Sequence, residues 1–191
     1  MKEKRHINIR AEQDSDNNML ITGVPVVFNQ ATEINDPMGS YNEVIQRNAL
    51  DGVDLTDTRL LYNHDLSTVP LAKAPKTMQL ELRDDGLHMN AMLPDTEQGR
   101  SIYTAVKRGD LDGMSFSFTC DKDGSHYNVE KRTRTISKIR KLYECSIVPF
   151  PAYQSTSVEA RNQMQEAEQQ EQMRKEIKIM ANQITFKGVG K

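Results

Sequence analysis

Two runs of alternating apolar residues around an Asp-Asp-Gly turn constrain this chain more than any other feature. Met78, Leu80 and Leu82 alternate with polar residues, Asp84-Asp85-Gly86 follows, and Leu87, Met89, Ala91 and Leu93 alternate again. Side chains on a strand point to opposite faces in turn, so this pattern predicts a β-hairpin with one face in a core. A helix is expected next, with Asp95 as N-cap, Gln98 three residues on, and Ile102, Ala105 and Val106 as its apolar stripe. Gly109 supplies its stop.

The segment LDGMSFSFTC then reads as a strand, with Met114, Phe116 and Phe118 on one face and Ser115 and Ser117 on the other. MLITGVPVVFN, Met19 to Asn29, is rich in β-branched residues, and Gly23 and Pro25 mark it as an edge or bent strand. The first ten residues enter a strand through Ile7 and Ile9, and residues 30–58 are loop-like apart from a short helix near Tyr41 to Leu50. A polar hairpin over Asp121 to Arg134 leads into a strand from about Ile136 to Val148, closed by Pro149, Phe150 and Pro151. The expected fold class is α+β, β-rich, with a barrel-like or sandwich sheet and a few helices.

Composition then sets limits. Of the 191 residues 37% are hydrophobic and 27% charged, enough to fold, and the apolar residues lie mostly before about residue 160. Residues 161–176, RNQMQEAEQQEQMRKE, hold no aromatic and no β-branched residue. We therefore divide the chain into a core domain, 1–160, and a polar helical or flexible tail, 161–191. A net charge of −2 offers no field for nucleic acid. No apolar run reaches the roughly 18 residues of a membrane span, and the charged start lacks a secretory core. Cys120 and Cys145 fit a reduced, cytoplasmic protein and cannot by themselves hold zinc. His6, His88 and His126 show no metal-ligand spacing, and no Gly-rich phosphate loop is present, so neither metal nor cofactor is expected.

Three polar spots stand in apolar surroundings: His64 in LLYNHD, Ser115 in DGMSFSF and Glu144 in LYECSIVPFPAY. A serine hydroxyl needs a base to take its proton, and imidazole titrates in the right range. A carboxylate on the other ring nitrogen fixes the tautomer and stabilises the imidazolium. The chain offers one residue for each part. Glu144, Ser146 and Val148 alternate with Tyr143, Cys145 and Ile147, so both faces of that strand carry apolar groups and the carboxylate is partly buried. On residues alone other roles stay open: His64 as a turn residue, Asp65 or Asp112 as the carboxylate, Ser117 or Cys145 as the nucleophile.

LLYNHD, GLHMNAMLP, KRGDLDGMSFSF and YECSIVPFPAYQSTSVEAR, in that order over residues 20–161, resemble the successive motifs of the tailed-phage prohead serine protease family. That family is similar in fold to the herpesvirus capsid maturation protease (assemblin). The resemblance implies a closed or partly open β-barrel ringed by helices. It implies Ser115 as nucleophile, His64 as general base and Glu144 as the third member. It further implies an endopeptidase that cuts the scaffolding portion of the major capsid protein, then itself, inside the procapsid in the host cytoplasm, with self-association of the enzyme. A non-catalytic assembly factor of the same fold, and a hydrolase of small esters or amides, are the competing readings.

Overall fold

The computed structural model describes residues 9–35, 39–121, 123–150 and 158–188. In chain order the strands are β1 (Arg10–Gln13), β2 (Met19–Val27), β3 (Ala31–Ile34), β4 (Tyr41–Ile45), β5 (Arg59–Tyr62), β6 (Ala72–Lys73), β7 (Met78–Leu82) and β8 (Gly86–Met92). Helix α1 (Glu97–Arg108) follows, then β9 (Gly113–Cys120), β10 (Ser125–Asn128), β11 (Thr133–Ile136), β12 (Ile139–Val148) and helix α2 (Val158–Gly188).

Among the described residues the strands form three four-stranded sheets, ordered β1-β2-β8-β7, β10-β11-β4-β3 and β6-β5-β12-β9. The class is α+β and β-rich, as the alternation predicts, but no closed barrel is found. Each sheet ends on a short strand, such as the two-residue β6, instead of returning to its first. The sheets share one core that includes Ile21, Leu60, Met78, Leu87, Met114, Ile136, Leu142 and Ile147. The hairpin forms as predicted, with Leu82 opposite Leu87 and Asp84-Asp85 as a two-residue loop. Gly86 must be glycine: a Cβ there would lie 2.2 Å from the carbonyl oxygen of Val26 on the neighbouring strand.

Several local expectations are corrected. The N-cap of α1 is Thr96, not Asp95: its hydroxyl accepts from the Gly99 N–H at 3.1 Å, which satisfies an orphan donor of the first turn. Gly109 ends the helix in the left-handed conformation at φ 80°, as expected. Residues 41–45 are strand β4 and not a helix, because pairing with β3 and parallel pairing with β11 settle a segment of ambiguous propensity. Strand β2 is bent but is no edge: it lies between β1 and β8, and the register shifts between Gly23 and Val26, where Pro25 cannot donate to the ladder. The expected strand from Ile136 to Val148 is split between the end of β11 and β12. Ile7 lies outside the described residues.

Strand β12 positions the site. It runs between β5, its parallel neighbour, and β9, its antiparallel neighbour. Two irregularities, between Ile139 and Lys141 and between Leu142 and Glu144, each add a residue to one side of the ladder. They bring Ile139, Leu142 and Cys145, spaced three apart, onto the core face where simple alternation would not. Tyr143 is thereby released from the face of Cys145: it stays 41% exposed and lines a surface pocket beside Glu144. The expected grouping of Tyr143 with Cys145 and Ile147 does not hold.

Candidate active site

His64 sits in the turn that leaves β5. Asn63 and His64 have φ of 51° and 58°, and the Asp65 N–H donates to the Tyr62 carbonyl at 3.0 Å, which together make a type I′ turn. Asn and His are among the few side chains that adopt the left-handed region at modest cost. β12 holds this turn at two points. The Asn63 N–H donates to the Ile147 carbonyl at 2.9 Å, and the His64 N–H donates to the Ser146 hydroxyl at 3.0 Å.

The imidazole meets Glu144, with Nδ1 and Oε1 2.7 Å apart. The other carboxylate oxygen, Oε2, accepts from the Ser146 hydroxyl at 2.6 Å. The Glu144 side chain is 5% exposed and that of His64 26%, so the pair lies at the mouth of a buried strand. Burial pushes the Glu144 carboxyl up, but hydrogen bonds from His64, Ser117 and Ser146 outweigh it, and its pKa ends below the ordinary value. A carboxylate only accepts, so Nδ1 carries the proton and the neutral ring keeps its lone pair on Nε2.

Ser115 and Ser117 reach this place through β9. In the β9–β12 ladder Ser146 faces Ser115 and Glu144 faces Ser117, so all four side chains project from one face. Ser115 is one cross-strand step from the hydroxyl that anchors His64, a distance of about 5 Å between Cβ atoms. Ser117 is a hydrogen-bond partner of Glu144.

The other sequence candidates lie elsewhere or are committed. Asp65 closes its own turn, accepting from the N–H and hydroxyl of Ser67 at 2.8 and 2.6 Å, and Asp112 is exposed. Cys145 is fully buried on the core face, where desolvation raises its thiol far above the range of a reactive thiolate. Cys120 is pushed up to about 11, again mainly by burial. Of Pro149, Phe150 and Pro151, which close the last strand, Pro151 lies outside the described residues. His6 lies outside them too, and no group of metal-ligating side chains occurs among the described residues. Sequence reasoning missed the part played by Ser146. Its only signal was the Glu-x-Ser alternation that puts its hydroxyl on the face of Glu144.

Beside Glu144 opens a pocket of about 310 Å3, walled by Arg59, Leu61, Leu66, Pro70, Lys141 and Tyr143. A larger hollow of about 780 Å3 lies between residues 69–73 and the start of α1. It is lined by none of His64, Ser115, Ser117, Glu144 and Ser146, and it shares Pro70 with the smaller pocket.

A carboxylate-bound imidazole next to a strand serine is the layout of a serine hydrolase. The comparison with protein families agrees and is more specific: the model of the Caudovirus prohead serine protease family matches residues 5–171 of the 191. The chain belongs to that family. It is accordingly a serine endopeptidase of bacteriophage capsid maturation, with capsid protein as substrate inside the procapsid. No curated protein and no solved structure matches the chain. No helix among the described residues is long and apolar enough to cross a membrane.

Proposed function

We propose that Ser115 is the nucleophile, His64 its general base and Glu144 the residue that orients the imidazole. The observation that carries this reading is the 2.7 Å contact of His64 Nδ1 with Glu144, on the same face of the ladder as Ser115 and diagonal to it, while Ser146, directly opposite Ser115, holds the His64 backbone. In the reaction the Ser115 hydroxyl attacks the scissile carbonyl while His64 Nε2 takes its proton. His64 then returns that proton to the leaving amine, and water releases the acyl group by the same two steps in reverse roles. Glu144 keeps the tautomer and balances the imidazolium charge while it lasts.

The substrate we assign is the scaffolding portion of the major capsid protein, followed by the enzyme itself. Two hollows that meet at Pro70, along the short edge strand β6, suit an extended peptide better than a small ester, which would call for one closed pocket. β2 lies against β9 across two sheets, which supports a partly open, assemblin-like arrangement. Enclosure in the procapsid concentrates enzyme and substrate, so modest affinity suffices.

The test is intact-mass spectrometry of the protein incubated with its capsid protein, wild type beside Ser115→Ala. Defined cuts in the wild type alone are expected, with the variant slower by roughly 10^6. Equal cutting by both would move the nucleophile to Ser117 or another residue. Absence of cutting even in assembled shells would leave the non-catalytic assembly factor as the better account.

A further inference from the structure

We infer that Ser146 is a positioning residue that locks His64 to Glu144 through both its backbone and its ring, an inference that rests on the catalytic reading above. A serine hydroxyl has one proton to give and two lone pairs. Here the proton goes to Glu144 Oε2 at 2.6 Å, and a lone pair takes the His64 N–H at 3.0 Å. The loop is closed by His64 Nδ1 and Glu144 Oε1 at 2.7 Å. His64 backbone, Ser146, Glu144 and His64 ring thus form one cycle of three hydrogen bonds.

The cycle answers a specific difficulty. His64 stands at φ 58°, a sparsely populated region for a residue other than glycine, and two side-chain torsions set the direction of its ring. A carboxylate alone would orient the ring but leave the turn loose. An anchored turn alone would leave the carboxylate free to rotate away. Ser146 is wholly buried and couples the two, and the ladder sets it directly opposite Ser115. The nucleophile and the clamp on its base therefore share a single strand register, which a slip of one residue would destroy. Among small side chains only a hydroxyl, of serine or threonine, can do this. Alanine offers no hydrogen bond, and cysteine gives a longer, weaker donor.

Ser146→Ala removes a donor from a carboxylate whose titratable and charged neighbours stay in place. These are His64 in the turn after β5, Arg59 of β5, and Asp57 and Lys141, which line the adjoining pocket; Asp57 is itself paired with Arg59 and with Lys73 of β6. The Glu144 carboxyl should then titrate at higher pH, as the loss of a hydrogen bond to the charged form requires. The two readouts are a carbon-13 NMR titration of Glu144 and the rate at which diisopropyl fluorophosphate modifies the active-site serine. Both are made on wild type, Ser146→Ala and Ser146→Thr, with circular dichroism to establish folding.

The expected result has three parts. Glu144 titrates higher in Ser146→Ala, the maximal modification rate falls about tenfold with half-saturation unchanged, and Ser146→Thr restores both. A folded Ser146→Ala with unmoved Glu144 titration and unmoved rate overturns the inference. Wild type that resists the reagent, while Glu144 still shifts in Ser146→Ala, would fault the nucleophile assignment and leave the hold of Ser146 on Glu144 standing.

Discussion

At the scale of single residues, the proposed triad requires Glu144 to stay charged while nearly buried. Burial alone would favour its neutral form, and three hydrogen-bonded neighbours reverse that preference. Its folded pKa lies below the unfolded one, so its ionised form contributes stability that is fully present above the ordinary glutamate value. That contribution is lost as pH falls through the lower, folded value. Glu144→Gln separates the two consequences. An amide can turn its NH2 toward Nδ1 and stabilise the wrong tautomer, so we expect kcat to fall by up to roughly 10^4 in a capsid-protein cleavage assay. The same variant should lose less melting temperature than the wild type as pH falls below the ordinary glutamate range, measured by calorimetry from pH 7 to 3; Asp57, Asp65 and the other lowered carboxyls keep their share in both. An unaltered kcat would remove Glu144 from the mechanism, and parallel melting profiles would remove it from the acid transition.

Elements show what local pattern decides and what it does not. The cap of α1 has a local cause: Thr96 and Asp95 are both good N-caps, and only the geometry of the turn selects Thr96. Thr96→Ala should cost about 1 kcal/mol in urea unfolding, whereas Asp95→Ala should cost well under half as much; the reverse order would restore Asp95 as the cap. The hairpin, the helix with its Gly109 stop and the strand of Ser115 were legible for the same reason: each is fixed by residues within one or two turns of chain. The meeting of His64 with Glu144, 80 positions apart, was not, because it depends on parallel pairing of β5 with β12. Resemblance of motifs supplied that pair where periodicity could not. The bulges of β12 were equally invisible. They change the facing of Tyr143 by one residue, and a period of two carries no mark of an inserted residue. Segment 41–45 misled for a third reason, since EVIQRNAL suits a helix until β3 and β11 claim its backbone.

For the whole molecule the open matter is where the folded body stops along α2. Composition sets the change at residue 160, but the helix is not solvated from its start. Met164 is 6% exposed and packs on Tyr41 and Tyr127, whose rings meet edge to face at 6.3 Å, with Ala167 beside them. Farther along, Met173, Ile177 and Met180 are all more than half exposed, so among the described side chains of α2 burial against the second sheet is confined to Met164 and Ala167. The family match runs to 171, one helical turn past Ala167, the last described residue in that packing. We therefore propose that the protease domain extends to about 171 and that only the remainder is appendage. A thin apolar stripe concealed this in the sequence: one methionine among glutamines and glutamates carries the contact, and composition averages it away. Chains ended after residue 171 and after residue 160 distinguish the boundaries. The first should melt with the full chain. The second uncovers the tyrosine pair and loses a buried methionine, worth about 2–5 kcal/mol for truncation to alanine, so its melting temperature should drop by roughly 5–15 °C. Equal melting of all three would return the boundary to 160 and make the Met164 contact incidental to stability.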